Sequence, residues 1–432
     1  MEIKKESPGH YRWVVCALLF FATTINYIDR QVIGLLKPTL EQEYNWSESD
    51  YANIVMAFSA AYALGLLLFG RIVDKIGTKL GYTISVLFWS IAAMLHAGVQ
   101  STLGFGAVRA FLGISEAGNF PTAIKATAEW FPKRERALAT GIFNSGTNIG
   151  AVIAPVVVPW MLGNFGWRPA FLWTGAIGFL WLIFWWIFYE IPQRQKRLSK
   201  AEYDLIHSDS ETQEDLSRTK ESVPWLKLLG IRQTYAFVFG KLLTDPIWWF
   251  FLFWLPSYFA EAYNIDLKKP NLQLVIVYTA TTIGSVGGGY LSSYLIRKGW
   301  LVFKARKVSM LLFAFCVTPI MLAPNAGNVW VAVGLISLAA AAHQAWSANI
   351  FTTVSDMFPK HAVSSVVGIG GMAGSIGGML FPLLVGSLLD HYKALGHIVT
   401  GYNILFVICG FGYLIAWVTM HFLAPRMERV RL

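Results

Sequence analysis

Asp29, Arg30, Arg109, Glu116 and Asp245 are ionisable residues that stand inside predominantly apolar stretches of sequence. In hydrocarbon each would cost several kcal/mol unless it met a partner or a wet cavity, so these positions are where chemistry is to be sought. Arginine grips a carboxylate through two parallel N–H···O bonds and does not lose its proton, so Arg30 and Arg109 suit the recognition of an anion. Carboxylates take up and release protons, which suits Asp29 and Glu116 to proton carriage. Making or breaking a carboxylate–arginine contact would then couple proton occupancy to conformation. The alternative is a permanently paired network that only fixes helix packing.

The elements that must position these groups follow from hydropathy. The chain of 432 residues is 55% hydrophobic and only 14% charged, against roughly a quarter charged in a soluble domain. Apolar runs of spanning length fall near 13–36, 52–70, 80–99, 103–124, 138–162 and 168–189, then near 235–259, 271–296, 305–324, 327–352, 362–388 and 399–424. Lipid cannot hydrogen-bond an open backbone, so each run predicts a helix, and no alternating barrel pattern is present. The expected fold is an all-α integral membrane bundle of twelve transmembrane helices in two six-helix halves, residues 1–190 and 231–432, joined by a polar cytoplasmic loop over 191–230.

Lys and Arg resist translocation and so mark the cytoplasmic side. They gather near both termini and in the even-numbered loops, as Arg71, Lys75 and Lys79, then Lys133, Arg134 and Arg136, then Arg297, Lys298, Lys304, Arg306 and Lys307. Both ends are therefore expected in the cytoplasm, and the formal charge of +10 reflects orientation rather than affinity for nucleic acid. The first run is too long for a signal peptide and is followed by no small-residue cleavage site. Cys16, Cys316 and Cys409 lie far apart within apolar runs, which suggests neither a disulfide framework nor a metal cluster. No cofactor is expected beyond a coupling ion, the proton.

With the first helix running outward and ending near Leu36, Asp29 lies seven residues, roughly 10 Å, below the outer surface. The fourth runs inward from Leu103, which puts Arg109 about 9 Å deep and makes an Asp29–Arg109 ion pair the expected contact. Glu116 sits two turns deeper on nearly the same face, the deepest carboxylate of the first half. Asp245, beside Pro246 and near the inner end of its run, leaves a capping or loop role and a pocket role both open.

A shift of 227 residues lays Glu129-Trp-Phe-Pro-Lys133 over Asp356-Met-Phe-Pro-Lys360, Gly141 over Gly368, Gly150 over Gly377 and Pro155 over Pro382. The halves thus repeat in the same direction, which implies a pseudo-two-fold along the membrane normal and a site near the midplane between them. Glycine-rich helices permit sliding, with static tight packing as the other reading. Tyr62, mid-span among small residues, offers a hydroxyl, and Trp248 and Trp249 with Gln344 and Asn349 could stack on and hydrogen-bond a sugar ring. His343 falls opposite Glu116 in the repeat register, where a neutral, satisfied ring is the plainer reading.

Gly70-Arg-Ile-Val-Asp74-Lys75-Ile-Gly77-Thr-Lys79 resembles the loop signature of the major facilitator superfamily. Asp74 there can cap a helix end and pair with neighbouring basic residues as a latch that opens when the halves rock, with Gly70, Lys75 and Gly77 around it. The second half has Ile296 where the acid would stand, so an asymmetric latch is expected. Asn26-Tyr-Ile-Asp29-Arg30 and Arg109-Ala-Phe-Leu-Gly-Ile-Ser-Glu116-Ala-Gly-Asn-Phe-Pro121 are similar to the anion:cation symporters of that superfamily. The resemblance implies a proton-coupled carboxylate symporter with Asp29 and Glu116 protonated in the cycle and Arg30, Tyr62 and Arg109 near the substrate or its gate. Ala126-Thr-Ala-Glu-Trp-Phe-Pro132, Gly141-Ile-Phe-Asn-Ser-Gly146 and Thr244-Asp-Pro-Ile-Trp-Trp-Phe-Phe-Leu-Phe-Trp-Leu-Pro256 resemble bacterial hexuronate transporters of galacturonate and glucuronate. The expectation is a monomer in a bacterial inner membrane that imports a sugar acid with protons. Another organic anion such as an aldonate or aldarate, or proton-driven efflux, is the alternative; efflux would not need paired arginines.

Overall fold

A computed structural model describes residues 9–46, 48–208, 223–263, 272–430 and 432. Before residue 190 the helices are α1 (Tyr11–Tyr44), α2 (Glu48–Ile76), α3 (Thr78–Leu95), α4 (Thr102–Glu116), α5 (Asn119–Trp130), α6 (Lys133–Phe165) and α7 (Trp167–Phe188). Short helices α8 (Lys200–Ile206) and α9 (Trp225–Leu229) lead into α10 (Arg232–Tyr263), α11 (Leu272–Arg297), α12 (Val302–Val317), α13 (Val329–Met357), α14 (Val363–Ala394) and α15 (Ile398–Leu423). Local chemistry sets the boundaries. Ser101 and Asn328 accept backbone N–H bonds at the starts of α4 and α13. Gly77 and Gly166, both at φ +87, turn the chain between helices.

Among the described residues, ten helices are long and apolar enough to cross a membrane, not the expected twelve. The run at 103–124 is divided: its helix loosens at Ala117–Gly118, where Gly118 N–H reaches Ser115 O at 3.5 Å, and resumes as α5. The run at 235–259 lies within α10, which carries Lys241 and Asp245. The repeat is plain in the element bounds, because α4 and α5 together cover Thr102–Trp130 and α13 covers the positions 227 residues on, Val329–Met357.

Helix packing repeats in the same way. Gly141 of α6 lies against the backbone of Ser285 in α11, and its counterpart Gly368 of α14 lies against the backbone of Leu66 in α2. Gly150 abuts Thr24 O of α1, and its counterpart Gly377 abuts Leu242 O of α10. A methyl group at any of these four would overlap backbone, so glycine sets the helix separation. The Gly141 and Gly368 contacts draw α6 onto α11 and α14 onto α2 toward the end that bears Asp74, Lys133 and Arg136.

Within the stretch 191–230, the described residues 191–208 do more than link. Glu202 of α8, almost fully buried, accepts from the N–H groups of Tyr11 and Arg12 at 3.1 and 3.0 Å and pairs with the Arg12 guanidinium, capping α1. Residues 209–222 lie outside the described residues. Arg306 and Lys307, assigned from sequence to a loop flank, are instead buried in the first turns of α12. Each is compensated there, Arg306 by Asp356 and Lys307 by Pro425 O.

Candidate functional site

Arg30, on α1, is the centre of the polar cluster. Its Nε and Nη2 reach the same oxygen of Glu116, Oε2, at 3.1 and 3.0 Å. Its guanidinium carbon lies 4.8, 5.1 and 4.6 Å from the ring centres of Tyr27, Phe58 and Tyr62. Three aromatic faces stabilise the cation where little water reaches it. Glu116 is fully buried and Arg30 keeps 13% of its side chain accessible, so the cation is the member of the pair that a solute can touch.

The expected Asp29–Arg109 ion pair is not formed. Arg109 donates from Nη2 to the carbonyl of Arg30 at 2.8 Å and packs over Phe58 at 4.8 Å. The reason is azimuth: neighbours on a helix diverge by about 100°, so equal depth does not aim Asp29 and Arg30 at the same partner. Arg30 points to Glu116, while neither carboxylate oxygen of Asp29 has a hydrogen-bond partner among the described residues. Arg109 Nε and Nη1 and Glu116 Oε1 also lack one. Two cations and two carboxylates thus share one buried region with hydrogen-bonding capacity to spare. Such groups in a folded protein call for a functional explanation.

Across the seam, Trp248 of α10 stacks on His343 of α13 with ring centres 4.8 Å apart and planes 2° from parallel. His343 is hydrogen-bonded through Nδ1 to the Tyr413 hydroxyl. Gln344 accepts from Asn144 Nδ2 at 2.9 Å and sits 3.5 Å from Asn148 Oδ1, so it ties α13 to α6. Asn349 is seated in the α11–α13 seam, where its Nδ2 donates to Gly288 O at 3.0 Å and Ala345 O at 2.9 Å. Asp245 is neither a cap nor near a helix end. It stands within α10, paired with Lys241 at 2.8 Å.

Sequence reasoning missed Lys241, Asn144 and Asn148. The polar run Asn144, Ser145, Thr147 and Asn148 inside a spanning helix was the available signal for the last two. It also missed a salt-bridge centre at the closed end, where Asp356 meets Arg136 of the other half at 3.4 Å and Arg306 at 3.0 Å.

Asp74 is at the same end. Its Oδ1 meets Lys125 Nζ at 3.0 Å, and its two oxygens accept from Ser364 N at 3.3 Å and Ser365 N at 2.7 Å. It therefore caps α14, a helix of the other half, while Gly70 allows α2 to approach the Ser364 carbonyl. Gly77 turns the chain from α2 into α3, and Lys75 is exposed.

The comparisons with known proteins agree with this architecture. A Major Facilitator Superfamily profile matches residues 19–382. The hexuronate transporter of Escherichia coli K12 is 33% identical over 384 residues, 88% of each chain. The galacturonate transporter of Dickeya chrysanthemi is 33% identical over 280 residues, 65% of this chain and 81% of that one. The solved proton:xylose symporter XylE superposes with a TM-score of 0.75 over 97% of both chains at 16% identity, which establishes a common fold. This chain is accordingly a multi-pass membrane transporter rather than an enzyme, and it belongs to the Major Facilitator Superfamily.

Proposed function

We propose that the protein imports a hexuronate, such as galacturonate or glucuronate, with at least one proton, by alternating access between its halves. The observation that carries this reading is Arg30, a partly accessible guanidinium held by three rings and committed to one oxygen of the buried Glu116. A substrate carboxylate offers the two-pronged partner that Glu116 does not, so it competes for the cation. Glu116, released from Arg30 in a buried setting, is neutralised by a proton. Asp29, without a donor, is the second proton carrier, and Arg109 holds the α1 backbone in place. The sugar ring is taken by Tyr62 and Trp248, with Gln344 reporting ring contacts to α6; Asn349 acts from the helix seam behind them. Relatives named for hexuronate and galacturonate transport support this substrate class.

In this reading α4 with α5, and α10, complete twelve spans in two six-helix halves, residues 1–190 and 231–432 about the loop at 191–230. The end carrying Asp74, Lys133 and Arg136 faces the cytoplasm of a bacterial inner membrane, as do both termini, and the protein works as a monomer. The closed seam at that end, where Asp74 caps α14 and Gly70 admits the Ser364 carbonyl while Gly77 turns the chain beside them and Lys75 stands exposed, then bars the inward path. The test is uptake of labelled galacturonate into proteoliposomes under an imposed inward proton gradient. Accumulation that disappears with a protonophore is expected; equal accumulation with no gradient and a collapsed potential would overturn the reading.

A further inference from the structure

Lys241 and Asp245 take no part in the scheme above. They stand one turn apart on α10 with Nζ and Oδ2 2.8 Å apart. The ammonium also lies 4.3 Å from the ring centre of Phe351, so it is held on two sides. Gly374 of α14 backs the Asp245 carboxylate so closely that any Cβ there would overlap Oδ2, which leaves the carboxylate little room to turn. The two members differ in access: 21% of the Asp245 side chain remains accessible against 8% for Lys241. The lysine is a buried anchor and the carboxylate is the presented group.

The α2–α14 contacts run antiparallel, with Gly70 against Ser364 and Leu66 against Gly368, so Tyr62, one turn beyond Leu66, stands level with the turn of α14 in which Gly374 backs Asp245. Tyr62 is one of the rings that flank the Arg30 guanidinium, at 4.6 Å. Arg30 from one half and Asp245 from the other therefore bracket one region across the seam, cationic at one pole and anionic at the other. A solute with one carboxylate and an uncharged polyol end matches both poles. Its carboxylate meets Arg30, and its hydroxyls donate to the acceptor oxygens of Asp245. A solute with a carboxylate at each end places like charge against Asp245 in a poorly screened site, and Lys241, already committed, does not relieve it.

We infer that Asp245 is a specificity residue that admits sugar acids with one carboxylate and rejects those with two. This rests on the sugar-acid reading of the preceding section and narrows it. The test is equilibrium displacement of labelled galacturonate from the purified full-length protein by galactonate, an open-chain monocarboxylate, and by galactarate, its dicarboxylate counterpart. The galactonate arm separates the effect of charge from that of ring opening. In the natural protein galactarate should bind at least about tenfold more weakly than galactonate. Asp245→Asn leaves Lys241 without its partner and should narrow or reverse that ratio by about tenfold. Lys241→Gln/Asp245→Asn, which removes both charges and leaves no unpaired cation, should narrow it too and serves if the single variant misfolds. A natural protein that binds both open-chain acids equally, or an unchanged ratio in both variants, overturns the inference while galacturonate binding leaves the parent reading intact. Binding of none of the three acids would overturn both.

Discussion

Replacing Arg30 by Lys keeps the charge and removes the fork. The guanidinium makes two charge-assisted contacts to Glu116 Oε2, at 3.1 and 3.0 Å, and one contact to Asn26 Oδ1 at 3.5 Å. An ammonium on the shorter lysine stem serves one carboxylate oxygen well, so a carboxylate held through both oxygens forfeits one charge-assisted bond, about 1.5–3 kcal/mol. Glu116 presents one oxygen to Arg30 and loses little by the exchange, so the deficit falls on the substrate carboxylate that displaces it. At about 1.4 kcal/mol per factor of ten, the half-saturating galacturonate concentration should rise about 10- to 150-fold. Counterflow in proteoliposomes isolates this step, because labelled substrate exchanges for unlabelled with no net proton movement. A thermal midpoint within a few degrees of the natural protein would show that the fold survives. An unchanged half-saturating concentration in such a folded variant would refute the assignment of Arg30 to the substrate carboxylate.

Other outcomes follow from the closed seam and the α8 clasp. Asp74→Ala removes the charged cap of α14 and leaves Lys125 buried without its carboxylate, a loss of about 3–5 kcal/mol for a broken buried pair; distance measurements between spin labels on α2 and α14 should show the seam opening, and an unchanged distribution would contradict the latch. Gly368→Val sets a branched side chain against the Leu66 backbone, so it should disfavour the closed seam and depress uptake while leaving the protein folded in the membrane; full transport activity would contradict a close approach at that point. Glu202→Ala removes the cap from α1 and one partner of Arg12, lowering stability by about 0.5–2 kcal/mol as read by thermal unfolding; an unchanged midpoint would mean that α8 is not fastened to the first half.

Much of this was legible in the sequence because lipid leaves few options. Apolar runs had to be helices, and ten of them stand at the expected places. The 227-residue repeat paired Gly141 with Gly368 and Gly150 with Gly377, and the structure uses each pair for equivalent helix contacts. What sequence could not supply was rotation about the helix axis. Depth put Asp29 beside Arg109, yet azimuth turned Arg30 toward Glu116. Lys241 escaped notice because a lysine near the start of an apolar run reads as a flank residue whose head reaches water. Its burial is visible only once α10 is seen to begin at Arg232 and the Asp245 and Phe351 side chains are in place. Arg306 was misplaced for the same reason, since its partner Asp356 is 50 residues away in sequence.

Coupling turns on Glu116 binding a proton when Arg30 turns to substrate. Its most direct test compares the natural protein with Glu116→Gln in weakly buffered proteoliposomes given external galacturonate. The natural protein should alkalinise the medium as galacturonate enters; the variant, with position 116 fixed in the neutral form, should still exchange galacturonate across the membrane but lose the proton that Glu116 carries, with less alkalinisation and weaker concentration. Galacturonate entry without alkalinisation in the natural protein, or undiminished alkalinisation in the variant, would contradict it.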